Sequence, residues 1–251
     1  LSENILYKTG RTRGLVLLVN TEQFDLDLQN HYSIANLEEY VDVLRREEFS
    51  RSDLVKVSTD SKLTSKRSFK GFLVNCYEPV NIVLNQTRTR LQPQPGLFHF
   101  IYDYEQFIPD SEYTIVGIEN PENFRHIEKQ KQLFRHLKPL FISRYPQGQH
   151  ADVIRWLQLI PNPYLHFGDY DLAGINIYLN EIKRYIPEKS TFFIPHDIEE
   201  LLLLYGNYGR YDRQKLHTPA GGIQEEGIIE LIKMIHRHKK GLDQEIFQAG
   251  L

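Results

Sequence analysis

The stretch Tyr164-Leu-His-Phe-Gly-Asp-Tyr-Asp-Leu-Ala-Gly-Ile-Asn-Ile177 constrains this chain most. A short apolar run ends at Asp169 and Asp171, and an apolar-periodic segment follows through Leu172, Ile175, Ile177, Leu179 and Ile182. The pattern reads strand, acidic turn, helix. Side chains at i and i+2 of an extended segment point the same way, so the two carboxylates converge beyond the strand's carboxyl end. Open α/β sheets bind their ligands there. Without a matching arginine, converging carboxylates repel, and a hard divalent cation such as Mg²⁺ relieves the repulsion. A plainer reading stands beside this one, in which Asp171 caps the following helix.

A third carboxylate occupies an equivalent place. Tyr113-Thr-Ile-Val-Gly-Ile-Glu119-Asn120 is rich in β-branched residues, as a buried strand requires, and it too ends in an acid. Asn120 suits a helix cap and Pro121 a helix first turn. Fifty residues separate Glu119 from Asp169. That is room for a helix, a middle strand (Leu140-Phe-Ile-Ser-Arg144) and a second helix. Glu119 alone would read as an exposed acid at a strand end.

A strand ending in Glu, two βα units, and a strand ending in Asp-x-Asp resemble the Toprim domain shared by topoisomerases, primases and several nucleases. Ile-Glu-Asn-Pro-Glu-Asn-Phe (118–124), Tyr-Pro-Gln-Gly (145–148), His-Phe-Gly-Asp-Tyr-Asp-Leu-Ala-Gly (166–174) and Gly-Leu-Asp-Gln-Glu (241–245) narrow the likeness. Together they resemble the C-terminal domain of JetD, the nuclease subunit of Wadjet plasmid-defence systems, and more distantly the topoisomerase VI A subunit. The resemblance covers roughly residues 111–251. Leu172 departs from it, standing where these families usually carry proline.

The resemblance implies a Mg²⁺ (or Mn²⁺)-dependent DNA endonuclease with Glu119, Asp169 and Asp171 as catalytic and metal-holding residues. It also implies an SMC-type motor complex as partner, and a homodimer. Glu119 has two open roles, as a ligand or as an acid or base during strand cleavage. Glu245, in Asp-Gln-Glu, reads either as a second-site ligand or as a solvated acid. Arg144, after the middle strand, reads either as a phosphate contact on DNA or as half of an internal salt bridge. Glu122 reads as solvent-facing.

Composition sets the frame. The 251 residues are 41% hydrophobic and 25% charged, as in ordinary globular domains, with a formal net charge of −3. The chain as a whole is therefore no basic nucleic-acid binder. One cysteine, Cys76, excludes an internal disulfide and suggests a cytoplasmic setting; Cys76 reads as a small buried residue. No apolar run approaches the roughly 20 residues that cross a bilayer. The first residue is Leu1 rather than methionine, which leaves room for sequence before it.

Leu15–Val19 reads as a strand, and Phe24-Asp-Leu-Asp-Leu28 alternates. Ser33 is a candidate cap for a helix through Ile34, Leu37, Val41 and Leu44, and a second helix follows near Leu54. From Arg45 to Lys70 eight Lys/Arg face four Asp/Glu. Such a helix-turn-helix with a basic flank reads either as a winged-helix-like DNA reader, with Lys62 and Arg67 as contacts, or as a solvated charged face. Residues 73–74, 80–84 and 97–102 read as strands, with two further cations at Arg88 and Arg90. A boundary is expected at 106–112. It would divide an N-terminal mixed α+β unit (1–110) from a Toprim-like parallel α/β domain (111–251). That domain would have helices over 121–137, 149–158 and 172–185, a strand at 191–194, an apolar helix over 197–205, a loop over 206–224 and a last helix over 225–240.

Other chemistries lack support. His126, His136, His150 and His166 have no zinc-site spacing. No phosphate-binding or dinucleotide glycine motif and no nucleophile elbow occurs. No spacing singles out one of the 15 tyrosines, which favours water as nucleophile. The alternative function is a non-catalytic DNA-binding or assembly subunit that keeps the acids for structure; a small-molecule enzyme is a third.

Overall fold

The computed structural model describes residues 5–9, 14–46, 51–58, 69–144, 147–216 and 222–249. Lys62 and Arg67 lie outside these residues. The chain divides into two compact units, Leu1–Ser68 and Phe69–Leu251.

In the first unit β1 (Leu6–Lys8) pairs antiparallel with β2 (Val16–Leu18). Three helices follow, α1 (Thr21–Tyr32), α2 (Leu37–Arg45) and α3 (Arg51–Val57). The alternating run 24–28 is thus helical. Phe24 and Leu28 are also an i, i+4 pair, and the Asn20 side chain caps the helix by accepting from Gln23 N–H at 3.0 Å. Ser33 does not start a helix. It ends α1 in the left-handed region (φ 55°), and Asn36 caps α2 instead.

The second unit carries the rest. Its strands are β3 (Phe72–Cys76), β4 (Val80–Leu84), β5 (Thr87–Leu91), β6 (His99–Ile101), β7 (Phe107–Pro109), β8 (Thr114–Ile118), β9 (Pro139–Ser143), β10 (Tyr164–Phe167) and β11 (Ser190–Phe192). Its helices are α4 (Pro121–Arg125), α5 (His150–Leu159), α6 (Leu172–Ile177), α7 (Ile198–Tyr205), α8 (Tyr208–Arg213) and α9 (Glu226–His238). A 3₁₀ segment continues α4 over Ile127–Phe134, and a π-helical turn continues α6 over Tyr178–Lys183.

Six strands form one sheet in the order β11-β10-β8-β9-β3-β6. The first four are parallel; β3 pairs antiparallel with β9, and β6 antiparallel with β3. The fold is therefore mixed α/β, with a mixed sheet flanked by helices. The expected boundary at 106–112 is corrected: β3 and β6, placed in sequence before it, belong to the same sheet as β8–β11. The reason is edge pairing. Val74 and Cys76 are buried, and β3 pairs with the edge of β9 that the parallel strands leave open. Burial pushes the Cys76 thiol up to about 11, which disfavours the thiolate.

A separate three-stranded sheet, β5-β4-β7, contains the Arg88–Arg90 segment as strand β5. Its hairpin turns on Asn85 and Gln86, both at positive φ, as two-residue hairpin loops require.

Strand alternation sorts the two faces of the main sheet. Phe134, before β9, packs its ring against Phe141, Phe167 and Phe193 on one face. Tyr164 and His166 lie on the other, where His166 meets Tyr178 and Phe192. Gly117 is needed on that face because a Cβ there would overlap the Tyr164 ring. Among the described residues no helix is long and apolar enough to cross a membrane.

Candidate functional site

The chain leaves β8 for β9 on one side, then crosses back to β10 on the other. The carboxyl ends of β8 and β10 therefore flank a topological switch point, where a crevice opens beyond a parallel sheet. Glu119 follows β8 and Asp169 follows β10, adjacent strands in register. Glu119 N–H donates to Phe167 O at 3.0 Å, so the two acidic ends are tied together.

Gln244 closes the third side. It is fully buried, and each of its polar groups is used. Its N–H donates to Asp169 Oδ1 at 2.8 Å, its Nε2 to Phe167 O at 3.1 Å, and its Oε1 accepts from Asn120 N–H at 3.0 Å. A backbone bridge pairing Tyr170 with Leu242 holds the segment in place. The neighbours of Gln244 are consequently brought into the crevice. One carboxylate oxygen from each of Asp169, Asp243 and Glu245 lies within 4.8 Å of the others, in an arrangement able to hold a metal ion. Asn120 Nδ2 donates to Glu245 Oε1 at 2.6 Å.

Glu119 stands beside this cluster in a different setting. Its Oε2 lies 3.3 Å from His166 Nε2 and 4.0 Å from Arg144 Nη1. Gly168 makes room, since a Cβ there would overlap both Glu119 Oε2 and His166 Nε2. His166 is completely buried, and burial holds its pKa well below the ordinary value, so it is neutral. Tyr164 O–H, 3.3 Å from His166 Nδ1, stays protonated because burial raises its pKa. A tautomer accepting from Tyr164 at Nδ1 donates from Nε2 to Glu119. Burial pushes Glu119 up to about 7 despite Arg144, and Asp169 up to about 7 despite its bond from Gln244. Desolvated neighbouring acids of this kind mark functional sites.

Asp171 differs from the sequence expectation. It is buried, with 1% of its side chain exposed, and caps α6 through Gly174 N–H at 2.8 Å. Its Oδ2 accepts from Gln214 Nε2 at 2.8 Å and Arg210 Nη1 at 3.1 Å. The cap reading thus holds, and Asp243 takes its place in the three-carboxylate cluster. The matching arginine, unseen in the sequence, is Arg210. It also reaches Asp169 Oδ2 at 3.2 Å and pairs through Nη2 with Asp243. It projects from α8, inside the span expected to be a loop.

For Arg144 the structure shows the salt bridge. Only 7% of its side chain is exposed, and Nη2 donates to Glu181 Oε2 at 2.7 Å on the π-helical turn. Glu122 is exposed, 3.6 Å from His126, as expected. Asn123 is buried, donating to Gln130 Oε1 and Gln244 O and accepting from Gln248 Nε2. A broad groove lined by Leu133, Arg135, Leu165, Phe193 and His196 includes none of the site's acids.

One family model, described as a domain of unknown function (DUF7281), matches residues 73–249. Its start lies within β3, beside the unit boundary. No curated protein matches the chain.

Proposed function

The chain belongs to the DUF7281 family, and we propose that it is a Toprim-like, Mg²⁺ (or Mn²⁺)-dependent DNA endonuclease resembling JetD. One observation carries the reading. Asp169, at the end of one parallel strand, meets Asp243 and Glu245 at the sheet's switch point, and Glu119 ends the adjacent strand beside them. The donor set fits a hard cation: carboxylate oxygens only, from Asp169, Asp243 and Glu245, with Glu119 alongside. When bound, such a cation would stabilise charge on phosphate oxygens and lower the pKa of a water.

The chain's own residues supply the rest. Glu119, with its pKa near neutrality, accepts a proton from an attacking water and returns it to the leaving oxygen. His166 and Tyr164 orient it, and Gln244 fixes Asp169. The substrate is double-stranded DNA, cut without sequence preference. The Toprim-like fold, a cytoplasmic setting, an SMC-type motor partner and a homodimer belong to the same proposal.

Nicking of supercoiled plasmid with Mg²⁺ or Mn²⁺, alone and with a motor partner, tests it. Wild type should cut, and Glu119→Ala and Asp169→Ala should not. Equal cutting by all three would place the activity elsewhere. A second reading, a non-catalytic DNA-binding or assembly subunit, has its own support: Arg210 already neutralises part of the acidic cluster. No cutting under any condition would favour it.

A further inference from the structure

Arg210 bridges Asp169, Asp171 and Asp243 at once. Two of these acids, Asp169 and Asp243, belong to the trio arranged to hold a metal. The third does not: Asp171 is buried and bound on both oxygens by groups of the protein. One guanidinium is thus shared between an anchor and two ligands. We propose that Arg210 is the resident counter-cation of this site and competes with a divalent cation for Asp169 and Asp243, pivoting on Asp171. This rests on the metal reading above and adds to it a residue that sets the site's cation affinity.

The physical grounds are charge and geometry. Asp169, Asp243 and Glu245 converge with the Arg210 guanidinium against two of them, so negative charge remains for a cation. The positive charge of Arg210 against Asp169 and Asp243 repels a divalent cation at the same two carboxylates, so each cation weakens the hold of the other. Release from Asp169 and Asp243 leaves Arg210 paired with Asp171, so a buried charge is not stranded. The freed Nη2 then faces the crevice, where a substrate phosphate takes the planar fork well. A lysine, a point charge on a flexible stem, does not span three acids in this way.

The test is Mn²⁺ binding, followed by electron paramagnetic resonance of free Mn²⁺, for wild type, Arg210→Gln, Arg210→Lys and Asp169→Asn. The expected result is tighter binding by Arg210→Gln than by wild type, by about fivefold or more, the low end of the usual coupling between two ligands of one protein. Asp169→Asn should bind most weakly. Equal or weaker binding by Arg210→Gln, with Asp169→Asn still weakest, overturns the competition while leaving the metal site standing. No binding by wild type or by either Arg210 variant removes the metal reading and this inference together. Should Arg210→Gln not fold, the guanidinium ¹⁵N resonance of Arg210 in the wild type decides, assigned by its absence from Arg210→Lys. Mg²⁺ should shift it; an unmoved resonance under saturating Mg²⁺ overturns the proposal.

Discussion

Asp169 and Asp171 sit two residues apart and meet opposite surroundings. Burial raises Asp169, so its charged form is unfavourable in the folded protein at neutral pH. Asp171 caps a helix and holds Gln214 and Arg210. In EDTA at pH 8, Asp171→Ala should therefore lower stability by about 1 kcal/mol for the cap, and further for its stranded donors. Asp169→Asn should leave it unchanged or raise it. Urea denaturation checks the order; Asp169→Asn as the more damaging change would contradict it. The pH dependence has the same origin. Glu119 and Asp169 rise from ordinary values of 4.5 and 3.8 to about 7. Between those values the folded protein holds protons that the unfolded chain has released, so stability falls as pH rises toward about 7. Thermal unfolding in EDTA from pH 5 to pH 8 should show this decline, and Glu119→Gln should flatten it. Glu119 and Asp169 were legible because each ends a β-rich run. Arg210 and Asp243 were not: they come from segments without periodic pattern, and only distant pairings, Tyr170 with Leu242 and Asn207 with Gly241, bring them in.

At the scale of elements, the site is a junction of two strand ends and the terminal 3₁₀ turn over Gln244–Ala249. Gln244 joins them; it stands in the Gly-Leu-Asp-Gln-Glu motif, of which only Glu245 was given a role from sequence. Gln244→Leu should cost about 1–3 kcal/mol for the buried donor it leaves unpaired, Asn120 N–H, while Phe167 O keeps its bond from Glu119 N–H. Denaturant midpoints measure this; a loss below 1 kcal/mol would show that Gln244 is dispensable. The alternating strands and the helices after them were readable from pattern. The helix types were not. α4 gives way to 3₁₀ geometry and α6 to a π turn, and that turn carries Glu181 to Arg144. Tertiary contacts, absent from local propensity, decide such geometry.

For the whole molecule, the sheet fixes where the chain can be cut. Residues 69–251 contain every strand of both second-unit sheets, so this fragment should fold and unfold in one cooperative transition. A fragment starting at residue 111 loses β3 and β6 from the main sheet and β4, β5 and β7 from the small one. Circular dichroism melts should show no cooperative transition for it. The expected boundary failed because turn-rich composition near 93–110 marks a change of sheet, not of unit. The proposed cation site joins Asp169, after β10, to Asp243 and Glu245, with Glu119, after β8, alongside. Its most direct test is thermal unfolding of the 69–251 fragment at pH 8, with EDTA and with saturating Mg²⁺. A ligand at 100 times its dissociation constant stabilises the folded state by about 2.7 kcal/mol. Wild type should gain a shift of that order, and Asp169→Asn and Asp243→Asn should gain little. An equal shift in all three, or none in the wild type, would contradict the claim.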